Sequence, residues 1–301
     1  MSNDGEGDSR FWNCKVNNQL YADNSTEGAW RMKVGCSSWT FDMLIRAGQM
    51  TLLDFISVVS TLGVSGVELL DHHFPSTNSG YLKRLTQQAE RDGVEIAAVA
   101  ISNKFGFPDE KKREEALTYI RKFMDVAVAL GARTVRVFTG ENRSPKKDYD
   151  AQKQWVLDAL LRVAEYAENL ELPVGIENHD SVCKSADEIL WLLDEINSPY
   201  VGTCPDPINF LPPCVEGNRE LIYDETEKLA PFAVHAHAKF VGFDESGRDV
   251  YLDYERLMRI FSEAEYEGYQ SIEYRTSNPV EMLPPAIALL SRCIEEAIGN
   301  F

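Results

Sequence analysis

A closed (β/α)8 barrel, single-domain and preceded by an N-terminal extension, is the fold class that this 301-residue sequence predicts. From Met32 onward, near-continuous apolar runs alternate with amphipathic stretches, the pattern of a parallel sheet covered by helices. Eight such units favour closure into a barrel over an open doubly wound sheet. Neither G-x-G-x-x-G nor G-x-x-x-x-G-K-[ST] occurs, so an open nucleotide-binding sheet has no motif behind it. At 44% hydrophobic residues the chain can bury a sizeable core.

Residues 1–30 carry many Asn, Asp, Gly and Ser and show no clear period. They are expected to form an extension ahead of a barrel over residues 31–301, draped on it through Phe11, Trp12, Tyr21 and Trp30. Met32–Trp39 reads as strand one. Thr51-Leu-Leu-Asp54 has the form of a helix start, and that helix runs to about Leu62, with Gly63 ending it. Gly66–Leu70 is strand two and Tyr81–Asp92 its helix. Glu95–Ile101 is strand three, followed by a long amphipathic helix over Lys111–Leu130 that Gly131 closes. Thr134–Phe138 is strand four, with a helix over Asp148–Leu170. Strands five to eight fall in Pro173–Asp180, Tyr200–Asn209, Ala233–Lys239 and Gln270–Arg275. Their helices are Ala186–Ile196, Asn218–Leu229, Tyr254–Glu267 and Pro279–Ile298.

These last four strands carry the chemistry. Glu177, Asp206, a histidine of the His235-Ala-His237 run, and Glu273 recur at intervals of roughly thirty residues, about one strand-plus-helix unit. A parallel barrel brings such strand ends to one face. A carboxylate among apolar residues is costly unless it is paired or metal-bound. One such acid is as well explained by a salt bridge; several on consecutive strands favour a metal. His235 and His237, two residues apart, point the same way; one is expected as a ligand and the other as a supporting or substrate-binding group, a role that falls to His235 if His237 is the ligand, and the pattern alone leaves open which is which. An oxygen-rich set with one imidazole suits Mn²⁺, Mg²⁺, Co²⁺ or catalytic Zn²⁺ and leaves positions for substrate oxygens.

Further candidates for substrate binding are His179, Asn209, Lys239 and Arg275 beyond the strand ends, each equally suited to an ordinary loop or rim role. Glu68 at the end of strand two could be a buried supporting acid. Trp39 could wall a sugar ring or pack in the core. His72-His73, in the loop after strand two, could cap the pocket. The formal net charge of -18 disfavours nucleic acid as a partner. No window approaches the roughly 20 apolar residues of a membrane span. The six cysteines form no C-x-x-C pair, which fits reduced thiols in the cytoplasm. Homo-oligomerisation is compatible with the sequence but not readable from it.

Gly66-Val-Glu68-Leu, Gly175-Ile-Glu177-Asn178-His179, Asp206-Pro-Ile-Asn209-Phe210, His235-Ala-His237-Ala-Lys239 and Ser271-Ile-Glu273-Tyr together resemble the xylose isomerase-like TIM-barrel superfamily, in particular its sugar phosphate isomerase/epimerase group. The resemblance covers roughly Met32 to the C-terminus. It implies one divalent metal ion, often Mn²⁺, held by Glu177, Asp206, His237 and Glu273, and chemistry next to a sugar carbonyl; Glu177 and Glu273, reaching that ion from strands five and eight, are the catalytic candidates, each able to address a substrate carbon. It further implies isomerisation or epimerisation of a small-molecule sugar or keto-sugar through an enediolate. The alternative is a lyase acting on a keto-polyol or keto-glycoside, as in inosose dehydratases and C-glycoside-cleaving enzymes. Phe240 and Pro207-Ile208-Asn209 replace residues common in the group, so the substrate itself is not implied. The endonuclease IV branch uses three zinc ions and a larger histidine set; five His in an acidic chain argue against DNA repair.

Overall fold

The computed structural model describes residues 32–140, 148–179 and 182–299; the extension over 1–30, with Phe11, Trp12, Tyr21 and Trp30, lies outside the described residues, as does Asp180. Eight strands form one parallel sheet: β1 (Lys33–Ser37), β2 (Gly66–Leu70), β3 (Glu95–Ala100), β4 (Thr134–Phe138), β5 (Val174–Glu177), β6 (Val201–Cys204), β7 (Ala236–Phe240) and β8 (Tyr269–Tyr274). The neighbour order is β6-β5-β4-β3-β2-β1-β8-β7. The seam between β6 and β7 is bridged by backbone bonds, Val234 N–H to Thr203 O (2.9 Å) and His237 N–H to Pro205 O (3.0 Å), which complete the TIM barrel.

The helices are α1 (Asp42–Arg46), α2 (Leu52–Thr61), α3 (Ser79–Asp92), α4 (Glu110–Leu130), α5 (Tyr149–Leu170), α6 (Ala186–Ile196), α7 (Pro207–Phe210), α8 (Glu220–Leu229), α9 (Tyr254–Glu263) and α10 (Pro279–Ile298). Local chemistry sets their ends. Thr51 and Asp54 cap α2 reciprocally, the Thr51 N–H donating to Asp54 (2.9 Å) and the Asp54 N–H to the Thr51 hydroxyl (3.2 Å). Gly131 stops α4 at φ 67°, a left-handed conformation that costs glycine little. No helix among the described residues is long and apolar enough to cross a membrane.

The main apolar core lies between sheet and helices. Phe55, Ile56, Leu85, Ile120 and Met124 are fully buried against Val67, Leu69, Val135, Val137, Val174 and Ile176. Each such side chain contributes about 1.5–3 kcal/mol relative to exposure. The alternate strand positions face the barrel axis. There Tyr269 fills the floor, and Gly66 is required beside it: a Cβ on Gly66 would stand 2.3 Å from the Tyr269 ring.

Several strand boundaries differ from expectation: strand six, for one, ends at Cys204, and Asp206 caps helix α7 where the run was expected to continue to Asn209. Strand one stops at Ser37 rather than Trp39, because the Ser37 hydroxyl accepts from Trp39 N–H (3.3 Å) and starts a 3-10 turn over Ser38–Phe41. Thr40 ties that turn across β8, donating to Ile272 O and accepting from Tyr274 N–H, both at 3.1 Å. Strand seven starts at Ala236, not Ala233; Ala233 makes only an isolated bridge with Thr203. His235 therefore sits just below β7.

Candidate active site

The C-terminal mouth of the barrel gathers the four strand-end groups. Glu177 is the last residue of β5, and Glu273 is the penultimate residue of β8. Asp206 follows β6 and caps α7 by accepting from Ile208 N–H (3.1 Å). Asn178 clamps the Asp206 backbone from both sides, donating to its carbonyl (2.9 Å) and accepting from its N–H (2.8 Å). His237 reaches the same point from β7. Its Nδ1 lies 3.6 Å from Glu177 Oε1, 3.7 Å from Asp206 Oδ2 and 3.9 Å from Glu273 Oε1. That nitrogen is buried without a hydrogen-bond partner. Atoms about 2.1 Å from one ion at tetrahedral to trigonal angles stand about 3.4–3.6 Å apart, so Glu177 and Asp206 lie near ligand spacing from His237 and Glu273 a little beyond it. Glu177, Asp206 and His237 each offer a ligand atom within 4.8 Å of the others and so could hold a metal ion.

The opposite ring nitrogen is also placed. His237 Nε2 is 3.2 Å from Glu68 Oε1, the carboxylate–histidine arrangement that orients an imidazole for a ligand on its other side. Glu68 and His235 thus lie in the layer beneath the mouth, facing each other (4.0 Å) and His237, with Glu68 fully buried and His235 nearly so. The structure gives them contacts with a candidate ligand rather than an outlook on the mouth. The reason is the strand pleat: His235 is two residues, about 7 Å, closer to the barrel floor than His237.

Two permanent cations share the site. Arg136 of β4, almost fully buried, has Nε 2.9 Å from Glu177 Oε2 and 3.8 Å from Glu68 Oε1. Lys239 Nζ bridges Asp206 Oδ2 (2.6 Å) and Glu273 Oε2 (3.0 Å). With the His237 ring neutral, as a ligand must be, the carboxylates of Glu68, Glu177, Asp206 and Glu273 against Arg136 and Lys239 leave two negative charges uncompensated, the charge of one divalent cation. Burial raises the carboxyl of Glu177, but Arg136 and His237 outweigh it and hold it at about 2. Burial likewise opposes ionisation of Asp206, and Lys239 and His237 override it, keeping it well below the usual carboxylate range. For His237 burial disfavours the charged ring, yet Cys204, Glu68, Glu273 and Glu177 together lift its proton affinity well above the ordinary histidine value. The same negative field attracts a metal cation, so proton and metal compete for this imidazole.

Around this centre, Asn209 donates to Glu177 Oε1 (3.0 Å). Trp39, half-buried on the turn after β1, presents its ring 5.5 Å from Lys239 Nζ, so it stands at the mouth and not in the core. His179 is exposed and stacks on Phe138 at 4.3 Å. Arg275 is exposed past the end of β8, turned to solvent. Sequence reasoning missed Arg136. Its signal was a lone charge in Thr-Val-Arg136-Val-Phe, on the alternation that faces the barrel axis, where a cation needs acids from other strands.

The chain belongs to the xylose isomerase-like TIM barrel family, whose model matches residues 56–293. Among individual proteins it is similar to the 3'-dehydrocarminate deglycosidase alpha subunit of a Microbacterium species, at 23% identity over 86% of this chain and 91% of that one. Solved structures with the same fold include the 3-keto-D-glucoside 4-epimerase of E. coli (16% identity, 87% of this chain and 100% of that one, TM-score 0.67). Another is the probable 3-DHS dehydratase of Bacillus anthracis (15% identity, 86% of this chain and 99% of that one, TM-score 0.67).

Proposed function

We propose that this protein is a divalent-metal-dependent enzyme that takes a proton from the carbon beside a carbonyl in a sugar or keto-sugar, isomerising or epimerising it through an enediolate. The observation that carries this reading is the orphaned Nδ1 of His237, ringed by three carboxylates in a cluster two charges short of neutrality. Glu177, Asp206, His237 and Glu273 would hold one ion, Mn²⁺ first, with Mg²⁺, Co²⁺ or Zn²⁺ also suited to the donor set. When bound, the ion would stabilise negative charge developing on the substrate's carbonyl oxygen.

The chain's own residues supply the rest. Arg136 and His237 keep Glu177 ionised, the state a base needs, and Lys239 pairs with Glu273 at 3.0 Å. Glu177 accepts from Asn209 through Oε1 and is ion-paired with Arg136 through Oε2, whereas Glu273 is engaged by Lys239 through one oxygen, so Glu273 is the stronger candidate for the first proton transfer. Trp39 offers an apolar wall to a sugar ring, and His179 and Asn209 offer hydrogen-bonding groups at the rim. The five described cysteines are free thiols, in keeping with a cytoplasmic setting. Incubating the Mn²⁺-loaded protein with a panel of keto-sugars and polyols, then reading products by NMR after removing protein and metal, tests this. No turnover of any member would count against it.

A lyase is the second reading, favoured by the deglycosidase that matches most of the chain. The same proton abstraction followed by expulsion of a β-substituent would cleave a keto-glycoside or dehydrate a keto-polyol. Release of water or an aglycone distinguishes it, since neither accompanies isomerisation.

Two expected outcomes concern the histidines. His237→Ala should lose bound metal, whereas His235→Ala should keep it, because His235 lies beneath the mouth, and should weaken turnover through Glu68, which it faces and which orients His237. Elemental analysis of both variants checks this, and the opposite pattern would reassign the ligand. Metal binding should also weaken as pH falls. The His237 proton is held above its ordinary value, so it must leave before the nitrogen can accept a metal. Apparent affinity should then drop up to about tenfold per pH unit below that raised value. Calorimetry in buffers of different ionisation enthalpy should register proton release on binding; its absence at neutral pH would contradict the assignment.

A further inference from the structure

A second group of metal-ligating side chains lies on the rim, outside the quartet. It is formed by Asp42 at the start of α1 and by His72 and His73 after β2. Both imidazoles turn Nε2 toward one oxygen, Asp42 Oδ1, at 3.4 Å for His72 and 2.9 Å for His73. Their other nitrogens are already committed. His72 Nδ1 lies 3.0 Å from Asp71 Oδ1, and Asp71 is buried and takes backbone N–H bonds from His72 and Ser102, both at 2.7 Å. Those bonds fix Asp71 as an acceptor, so the His72 proton belongs on Nδ1. Ser38 Oγ accepts from Leu70 N–H (3.0 Å) and lies 3.0 Å from Nδ1 of the fully buried His73 ring, holding that ring from behind; in the tautomer with the proton on Nδ1, Nε2 offers its lone pair toward Asp42.

The consequence for His72 is direct. A neutral imidazole has one N–H, and its two nitrogens here face two carboxylates that only accept. With the single proton on Nδ1, the Nε2 lone pair points at the Asp42 carboxylate, an arrangement relieved by a cation between them, either a second ring proton or a metal ion. We propose that Asp42, His72 and His73 form a second divalent-metal site. Two imidazole nitrogens and one carboxylate oxygen, each imidazole oriented from behind by Asp71 or Ser38, suit Zn²⁺ or another first-row transition ion rather than Mg²⁺ or Ca²⁺. The spacings of 2.9 and 3.4 Å need only small shifts to reach the roughly 3.4 Å of tetrahedral ligands. The His72 side chain is 39% exposed and that of Asp42 27%, which leaves solvent access for a water or a substrate oxygen as the fourth ligand. Ser38 starts the turn that carries Trp39, so an ion here would tie α1 to the loop after β2 beside the wall of the mouth.

Zn²⁺ titration of chelator-stripped protein, read by calorimetry and by elemental analysis after desalting, tests the site without recourse to activity. His72→Ala, at an exposed side chain, should lower bound Zn²⁺ by one equivalent, and Asp42→Asn should do the same. The loss should be one equivalent both in the otherwise native chain and in an Asp206→Ala background, so it is read independently of the central site. Cu²⁺ bound in the Asp206→Ala background should show coupling to two imidazole nitrogens by electron paramagnetic resonance. Unchanged Zn²⁺ stoichiometry in both rim variants, or Cu²⁺ coupled to no nitrogen or to one, would overturn the proposal.

Discussion

Asp206→Ala is expected to strip the protein of its bound divalent ion while leaving the barrel folded. Asp206 is fully buried, and its Oδ2 meets both Lys239 (2.6 Å) and the open side of His237 (3.7 Å). Removing it takes one carboxylate from the candidate donor set and one negative charge from the cluster. Even orienting residues around a metal cost about 10- to 100-fold in affinity when lost, so loss of a direct ligand should cost more than about 100-fold. Breaking a buried ion pair usually costs about 3–5 kcal/mol because a charge is stranded. Here Lys239 keeps Glu273 at 3.0 Å, and the cluster sheds part of its surplus negative charge, so the cost to the apo fold should be smaller. Asn178 continues to hold the backbone of residue 206 through bonds that do not involve the side chain. The native protein should gain thermal stability with added Mn²⁺, by about 2.7 kcal/mol at a hundredfold excess over Kd, and the variant should gain little. Equal metal content in the native protein and in variants at Glu177, Asp206, His237 and Glu273 would show that the central site is misassigned.

Glu273→Gln should have the largest effect on chemistry. The amide matches the carboxylate in shape and can still meet Lys239, but it cannot take a proton. At saturating metal, kcat should fall by about 10²- to 10⁴-fold, the usual contribution of a positioned acid or base, with a smaller change in KM. Turnover in D₂O should place deuterium on the carbon beside the carbonyl, and the substitution should suppress that exchange more than it weakens substrate binding. Product without solvent deuterium would remain compatible with a shielded proton carried by Glu273. A primary isotope effect with full retention of substrate label, together with an unaffected Glu273→Gln variant, would rule out a carboxylate base and point to a hydride shift.

The barrel was legible because its signals are local. Apolar runs, the Thr51–Asp54 cap and the glycine after α4 are read within a few residues, and the structure has them where expected. Strand one ends early through a local bond, the Ser37 hydroxyl accepting from Trp39 N–H, but where the turn beyond it docks is set from afar: Thr40 lies 232 residues from the Ile272 carbonyl that it meets. The candidate ligands were legible for a related reason. An acid ending an apolar strand is conspicuous, and parallel closure sends successive strand ends to the same mouth.

What the sequence by itself determined was the barrel, the face on which chemistry gathers, and Glu177, Asp206, His237 and Glu273 as candidates for it. Only the tertiary structure decided how the charges around them balance. It placed Arg136 against Glu177 and Glu68, set Lys239 between Asp206 and Glu273, and put His235 and Glu68 beneath the mouth. It also turned His72 and His73 onto Asp42. The reason is physical: strand period and helix caps depend on neighbours a few residues away. The partner of a buried charge is chosen instead by barrel closure, which brings Glu68 within 3.2 Å of His237 across 169 residues of chain.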